Sequence, residues 1–84
     1  MRDTLRSPRQ QLLRAFLRDL RKRHHLTQSQ LAKRLAKPQS FVAKYEGGER
    51  RLSVIEFIDV VRALGAEPAV ALRHFVDAID RPDR

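Results

Sequence analysis

The stretch Leu26–Leu64 reads LTQSQLAKRLAKPQSFVAKYEGGERRLSVIEFIDVVRAL, and it carries the signals of three short helices joined by turns. Thr27 and Ser53 each begin a Thr/Ser-x-x-Gln/Glu capping box, directly before apolar residues at helical spacing. Between them, Pro38 is expected to open a middle helix, and the pair Gly47–Gly48 to end it. No hairpin signal or long alternating run is present, so the stretch predicts helices and no strand.

One more helix is predicted on each side. Ser7 and Pro8 supply an N-cap and a first-turn proline for a helix that runs to about Arg23. Gly65 ends the fourth helix, and Glu67-Pro68 begins a fifth. The apolar stripes expected to face the core are Leu13, Phe16, Leu17 and Leu20; Leu31, Ala32 and Leu35; Val42 and Tyr45; Val54, Ile55, Ile58, Val61 and Leu64; and Leu72, Phe75, Val76 and Ile79. The predicted fold class is all-α, with five short helices.

Length and composition limit what this chain can be. Its 84 residues suffice for one small domain, and its 24 Leu, Ile, Val and Phe residues predict a folded core. The chain has no cysteine, which excludes disulfides and thiolate metal sites and fits a reducing cytosol. No apolar run approaches the roughly 20 residues of a membrane span, and no signal peptide is evident. A cytoplasmic location in a prokaryote or phage, on the nucleoid, is expected.

Charge is distributed unevenly along the chain. The net charge is +8, but residues 1–51 hold 14 basic and 4 acidic side chains, whereas residues 52–84 hold 4 and 6. A basic part joined to a near-neutral part is typical of a nucleic-acid-binding protein. A well-solvated small protein is the alternative explanation.

The Leu26–Leu64 stretch resembles the DNA-binding domain of the Xre family, the type found in phage lambda repressor and Cro. The matching features, over about residues 10–73, are the Leu-Thr-Gln start, the Glu-x-Gly after the third helix and the final Ala-Leu-Gly. The resemblance implies a compact lambda-repressor-like domain at 8–80 with its helix-turn-helix at about 28–46. A flexible basic arm at 1–7 and a flexible tail at 81–84 complete the expected organisation. Minor-groove insertion of the arm, through Arg2 and Arg6, is a less favoured alternative.

The third helix carries the candidate base-reading residues. Its positions between the core residues are Gln39, Ser40, Ala43 and Lys44, which should point outward. Gln can pair bidentately with adenine, and Lys can donate to guanine or to a phosphate. The resemblance implies that this is the recognition helix, with Gln39, Ser40 and Lys44 at base-reading positions. Phe41 either covers a thymine methyl or folds back against the first or fourth helix.

Other residues are candidates for contact with the DNA backbone. Gln28, which opens the second helix, matches a family residue that touches a phosphate, although capping alone also explains it. Thr27 lies directly before the second helix, and Lys37 lies in the turn directly before the third, so both are candidates for the same kind of contact. Arg50 and Arg51 follow the recognition helix and are expected at phosphates, with a solvated charged loop as the alternative.

Two further features concern stability. The resemblance implies that Arg21 and Glu46 form a buried ion pair between the first and third helices. Ala36 stands in the turn where the family usually has glycine, and it is strained if that position needs a positive φ. Lys37-Pro38 replaces the family's usual Ser or Thr cap, so the tilt of Gln39 is open.

The predicted function is a sequence-specific double-stranded DNA-binding regulator, a homodimeric repressor of a near-palindromic operator. Its dimer element would be the stripe Leu72, Phe75, Val76 and Ile79 of the fifth helix, unless that stripe only packs under the fourth. The alternatives are an antitoxin that binds a toxin protein and a sequence-blind interaction module. An enzyme is not expected, because no Ser-His-acid spacing or phosphate loop is present. His24, His25 and His74 lack metal-ligand spacing, and no cofactor, small-molecule ligand or membrane partner is expected.

Overall fold

The computed structural model describes residues 7–81, and within this range all regular structure is helical. The five helices are α1 (Pro8–Arg23), α2 (Gln28–Leu35), α3 (Gln39–Glu46), α4 (Val54–Ala63) and α5 (Pro68–Ile79). The all-α prediction is confirmed, and the helix bounds agree with the sequence signals, except that Pro38 is the N-cap of α3 and not its first residue. The predicted arm and tail lie, apart from Ser7 and Arg81, outside the described residues.

The helices begin at side chains that bond to their own first turn. The hydroxyls of Thr27 and Ser53 accept from the third helical amide at 3.0 and 3.1 Å, and the Gln30 and Glu56 side chains accept from the cap amides. Ser7 accepts from the Gln10 amide at 3.1 Å. These bonds satisfy amides that have no partner inside the helix, so local sequence defines where α1, α2 and α4 start.

Four helices end in the same left-handed turn. The residues with positive φ are His25 (59°), Ala36 (58°), Gly48 (83°) and Gly65 (87°), after α1, α2, α3 and α4 respectively. After α2, for example, the Ala36 amide donates to Lys33 and the Lys37 amide to Ala32, the paired bonds of a Schellman motif. Two of these turns thus use a residue with a Cβ where glycine is strain-free.

Replacing Ala36 with glycine is expected to stabilise the domain by about 0.5–1 kcal/mol. The left-handed conformation strains alanine by about 1–2 kcal/mol, and the greater freedom of glycine in the unfolded chain offsets part of the gain. The reverse change, Gly65→Ala, is a matched control, because a Cβ there meets no atom within 4 Å and only backbone strain is added. Urea denaturation gives the free energy of unfolding of both variants and of wild type. A lower free energy of unfolding for Ala36→Gly than for wild type would contradict the strain assigned to Ala36.

The core lies where α2 crosses α3, with α1 packed on α3 and α4 packed on α2, and α5 closes it against α1 and α4. Ala32 is 2% exposed, and its small side chain lets α2 pack closely against α3. On α2, the Arg34 guanidinium donates to the carbonyl of Ala63 at 2.9 Å and so ties α2 to the end of α4. Among residues 7–81, the largest fully buried side chains are those of Leu17, Leu31, Val42, Tyr45, Val60, Val61 and Leu64.

The predicted stripe of α4 was wrong at two positions. Val54 and Ile55 are 75% and 67% exposed, while Phe57 and Val60 are buried instead. Val54 is the first residue after the Ser53 cap, and the first turn of α4 extends past the edge of the core. The helix therefore buries the set 57, 60, 61 and 64, which follows helical spacing as well as the predicted set does.

The stripe of α5 divides between core and surface. Phe75 is buried and packs on Phe16 of α1, with ring centroids 5.5 Å apart. Leu72 and Val76, one turn apart, remain 50% and 43% exposed. The fifth helix thus covers α1 and α4 with one edge and leaves a second apolar edge facing outward.

Candidate nucleic-acid interface

The third helix has one polar outward face and one buried face. Its outward positions recur at i, i+1, i+4 and i+5, the spacing of one helix face. Gln39, Ser40 and Lys44 are exposed there, and Ala43 is half-buried between them. The opposite face consists of Phe41, Val42, Tyr45 and Glu46, all buried. The structure thus brings four of the five predicted base-reading residues together on one surface.

Arg21 and Glu46 join α1 to the end of α3. The Arg21 Nε and Nη2 atoms donate to the two Glu46 carboxylate oxygens at 2.7 and 3.0 Å. A third bond runs from Arg21 Nη1 to the carbonyl of Leu26 at 2.8 Å. Both residues are 8% exposed, and the bonds to Glu46 raise the pKa of Arg21 although burial alone would lower it. The forked pair anchors the C-terminal end of α3 to α1.

A chain of side-chain hydrogen bonds extends from this ion pair to the surface. Gln28 Nε2 donates to Glu46 Oε1 at 2.9 Å, and Gln39 Nε2 donates to Gln28 Oε1 at 2.7 Å. Gln28 therefore bridges the buried carboxylate and the first residue of α3. Its side-chain amide is hydrogen-bonded at both ends, so helix capping alone does not account for its role. The same chain holds the Gln39 side chain in one place at the start of the outward face.

The ring of Phe41 packs inside the domain. It is 9% exposed and makes an edge contact with Tyr45 at 5.6 Å between centroids. The cationic groups of Lys37 and Arg50 lie over the ring at 5.1 and 4.8 Å. The ring is therefore packed inside the domain, and it contacts Tyr45 of α3 itself and the cations before and after that helix. Its buried ring stabilises the turn before α3 and the loop after it.

Arg50 is held by α4 and does not lie in a freely solvated loop. Its Nη1 and Nη2 atoms donate to the two carboxylate oxygens of Glu56 at 3.0 and 2.8 Å, and Nη1 also donates to the carbonyl of Arg51. The bonds to Arg50 are the largest cause that lowers the pKa of Glu56, to about 2. Much of the Arg50 charge is thus balanced by Glu56. The other predicted backbone-contact residues outside α2, Lys37 and Arg51, are exposed, and so is Thr27.

Together these elements form a helix, a short turn and a second helix with an outward polar face. The turn between α2 and α3 is Ala36–Pro38, three residues long. The N-terminus of α2, at Thr27 and Gln28, lies beside the N-terminus of α3 at Gln39, as their hydrogen bond shows. This geometry can place the start of α3 in a major groove while the start of α2 meets a phosphate.

Comparison with known proteins agrees with this geometry. A family model described as a helix-turn-helix domain matches residues 12–75. A solved structure described as an XRE-family like protein, from Pseudomonas syringae pv. tomato str. DC3000, is similar to this chain with 44% identity and a TM-score of 0.79. The match covers 86% of this chain and 87% of that chain. The chain belongs to the Xre-type helix-turn-helix family. No curated protein gives a significant match.

An Xre-type helix-turn-helix is the domain of a DNA-binding regulator. Within residues 7–81, no cluster of His, Asp and Glu side chains could hold a metal ion. No helix in the same range is long and apolar enough to cross a membrane.

Sequence reasoning missed two features of this Xre-type domain. The stack of Lys37, Phe41 and Arg50 and its link to Glu56 join residues that are up to nineteen positions apart. The only sequence signal was the Ser53-x-x-Glu56 capping box. It accounts for the bond between Glu56 and the Ser53 amide but not for the ion pair between Glu56 and Arg50. The bond from Gln28 to Glu46 likewise has no sequence signal, because it depends on how α2 crosses α3.

Replacing Glu56 with glutamine is expected to lower the free energy of unfolding at pH 7 by up to about 1 kcal/mol. Glutamine keeps the cap bond to the Ser53 amide but loses the charge that pairs with Arg50. Since folding lowers the pKa of Glu56 to about 2 from its usual value near 4.5, the carboxylate stabilises the fold above pH 4.5. This contribution disappears as the pH falls towards 2.

The measurement is denaturant unfolding of both proteins from pH 7 to pH 2.5. The difference between wild type and Glu56→Gln should be constant above about pH 5.5 and shrink at lower pH. A difference that stays the same across the whole range would show that the lost charge is not its origin.

Proposed function

We propose that this protein is a sequence-specific double-stranded DNA-binding regulator that acts as a homodimeric repressor on a near-palindromic operator. The observation that carries the proposal is the outward face of α3, where the Gln39 side chain is held in place and Ser40 and Lys44 are exposed. A side chain that is already ordered loses less conformational entropy on binding a base edge. This placement supports base reading by Gln39, Ser40, Ala43 and Lys44.

Contacts with phosphates are proposed for residues around this face. Thr27 and Gln28 stand at the N-terminus of α2, where free amides favour an anion. Lys37 and Arg51 are exposed and lie before and after α3 in the chain, so they add positive charge near its two ends. Arg50 has a mainly structural role in this scheme, because Glu56 balances its charge.

Dimerisation is proposed through an apolar surface that α4 and α5 share. Its exposed members are Val54 and Ile55 at the start of α4, and Leu72 and Val76 on α5. Leu72 also lines a mainly apolar groove together with Val54 and the buried Phe75. Contiguous exposed apolar surface marks interaction sites in soluble proteins, and the groove that Val54 and Leu72 line is the candidate here. A dimer held there has to present its two α3 helices to half-sites about 34 Å apart, which is the reason to expect a near-palindromic operator.

Selection from a random double-stranded DNA library at about 150 mM salt tests the proposal, because nonspecific binding is weakened there. An inverted repeat should be enriched. A protein that binds DNA but enriches no sequence would be a sequence-blind module. A monomer that enriches a single half-site would leave the apolar surface for another protein, as an antitoxin requires.

Leu72→Glu is expected to abolish dimer formation while the domain stays folded. The substitution places a charge in the apolar surface, where the second copy would have to bury it. Val70→Glu is the matched control, since Val70 is also on α5 and 45% exposed but lines the groove against α1. Analytical ultracentrifugation of both variants measures the effect. Equal sedimentation of Leu72→Glu and wild type as dimers would show that the interface lies elsewhere.

A further inference from the structure

The turn before α3 carries a lysine that is fixed both at its backbone and at its side chain. The Lys37 amide donates to the carbonyl of Ala32 at 3.0 Å, and the Lys37 ammonium lies over the ring of Phe41, 5.1 Å from its centroid. This contact spans the start of α3, because Pro38 makes no side-chain cap bond and Phe41 belongs to the first turn. An exposed lysine, whose side chain ordinarily samples many rotamers, is thus held beside the start of α3.

The ring of Phe41 is itself held, so it offers the lysine a fixed surface. It is 9% exposed, packs on Tyr45 and has the guanidinium of Arg50 over it at 4.8 Å. Glu56 accepts two hydrogen bonds from Arg50, and its negative charge offsets the repulsion between the guanidinium and a second cation at the same ring. Two cations can therefore share one aromatic side chain.

The two cations differ in what balances their charge. Arg50 is paired with Glu56 at 2.8 Å, whereas Lys37 is exposed and forms no ion pair within residues 7–81. An ammonium has three N–H donors, and the face of a ring engages only part of them. Lys37 thus keeps donors and an unbalanced charge for an anion while its position is fixed.

We propose that Phe41 is a positioning residue of the DNA interface, whose ring holds Lys37 where the ammonium binds a backbone phosphate next to the start of α3. The proposal rests on the proposed DNA-binding function, and it assigns Phe41 to phosphate affinity and not to base reading. A cation that is held in place before binding loses less side-chain entropy when it meets a phosphate. Because phosphates carry no sequence information, the ring should strengthen binding to every duplex alike.

Phe41→Leu and Lys37→Ala, made singly and together, test the proposal. Leucine keeps an apolar side chain in the core but offers no ring to the ammonium. Phe16→Leu is the matched control, because it also removes a ring that packs on another ring, that of Phe75 at 5.5 Å, but does so on α1. Dissociation constants of the full chain are measured for the selected operator and for an unrelated duplex of equal length, between about 100 and 300 mM salt.

Lys37→Ala should weaken binding to both duplexes, and the slope of log affinity against log salt concentration should become shallower by roughly 0.9, the value of one phosphate contact. Phe41→Leu should weaken binding to both duplexes by about 2- to 5-fold, whereas Phe16→Leu should stay within about 1.5-fold of wild type. In the Lys37→Ala background, Phe41→Leu should change the affinity by less than about 1.5-fold.

Losses that simply add in the double variant would overturn the proposal, because the ring would then act without Lys37. A loss in Phe41→Leu that appears on the operator but not on the unrelated duplex would also overturn it, since the ring would then affect base reading. So would an unaltered salt slope in Lys37→Ala. The proposed function fails separately, if wild type binds the operator no more tightly than the unrelated duplex, and the double variant on that duplex still decides the role of Phe41.

Discussion

Glu46→Ala is expected to lower the free energy of unfolding by about 3–5 kcal/mol, the largest stability effect that the structure predicts for a single change. The substitution leaves the Arg21 guanidinium buried without its partner and removes the acceptor for Gln28. Domains of this length have a total stability of roughly 4–13 kcal/mol, so the substitution should remove a large share of it and lower the melting temperature strongly. Thermal unfolding followed by circular dichroism measures the loss.

Lys44→Ala is the matched control, because Lys44 lies on the same helix but is exposed. Its free energy of unfolding should stay within about 0.5 kcal/mol of wild type. Equal melting temperatures for the two variants would refute the burial argument. The double variant Arg21→Met/Glu46→Leu removes both charges, and it should be more stable than Glu46→Ala because no unpaired charge remains buried.

Gln39→Ala and Lys44→Ala are each expected to weaken binding to the selected operator by roughly 5- to 150-fold, the value of one base contact. Gln39 carries no charge, so its loss should remove preference at one base pair and leave the salt dependence unchanged. Lys44 has two possible targets, a guanine and a phosphate. Loss of preference at one position would assign it to a base, and a uniform loss with a shallower salt dependence would assign it to a phosphate.

Lys33→Ala is the control for the loss of a positive charge. Lys33 is exposed on α2 beside Leu26 and Gln30, outside the turn and the outward face of α3. Its affinity for the operator should stay within about 2-fold of wild type at moderate salt. Comparable losses for Lys33→Ala and Lys44→Ala would mean that binding depends on net charge alone. Full affinity in the Gln39 and Lys44 variants would place the reading surface elsewhere.

Helix positions were predictable because their signals are local. The Thr27 and Ser53 boxes satisfy amides within three residues, and Gly48 and Gly65 accept the left-handed turn that ends a helix. The sequence left open whether Ala36 needs a positive φ, and the structure shows that it has one. The outward positions of α3 also followed from spacing, because the apolar residues Val42 and Tyr45 define the opposite face.

Packing between helices decided what spacing left open. On α4, two alternative sets of apolar residues satisfy helical periodicity, and only contact with α2 and α5 selects Phe57 and Val60 over Val54 and Ile55. Phe41 had two open alternatives for the same reason, since one side chain can turn to DNA or to the core. The contact with Tyr45 and the cations of Lys37 and Arg50 settles its place.

The direction of the bonds between Glu46, Gln28 and Gln39 is the clearest case of a property that no local pattern contains. Each residue type is visible in the sequence. A side-chain amide has a donor nitrogen and an acceptor oxygen, however, and the sequence does not say which of the two faces a given neighbour. Only the crossing of α2 over α3 places Gln28 between the carboxylate and Gln39. Helix starts and ends depend on bonds within a few residues, whereas this orientation depends on groups eleven and eighteen residues apart that meet only in the folded chain.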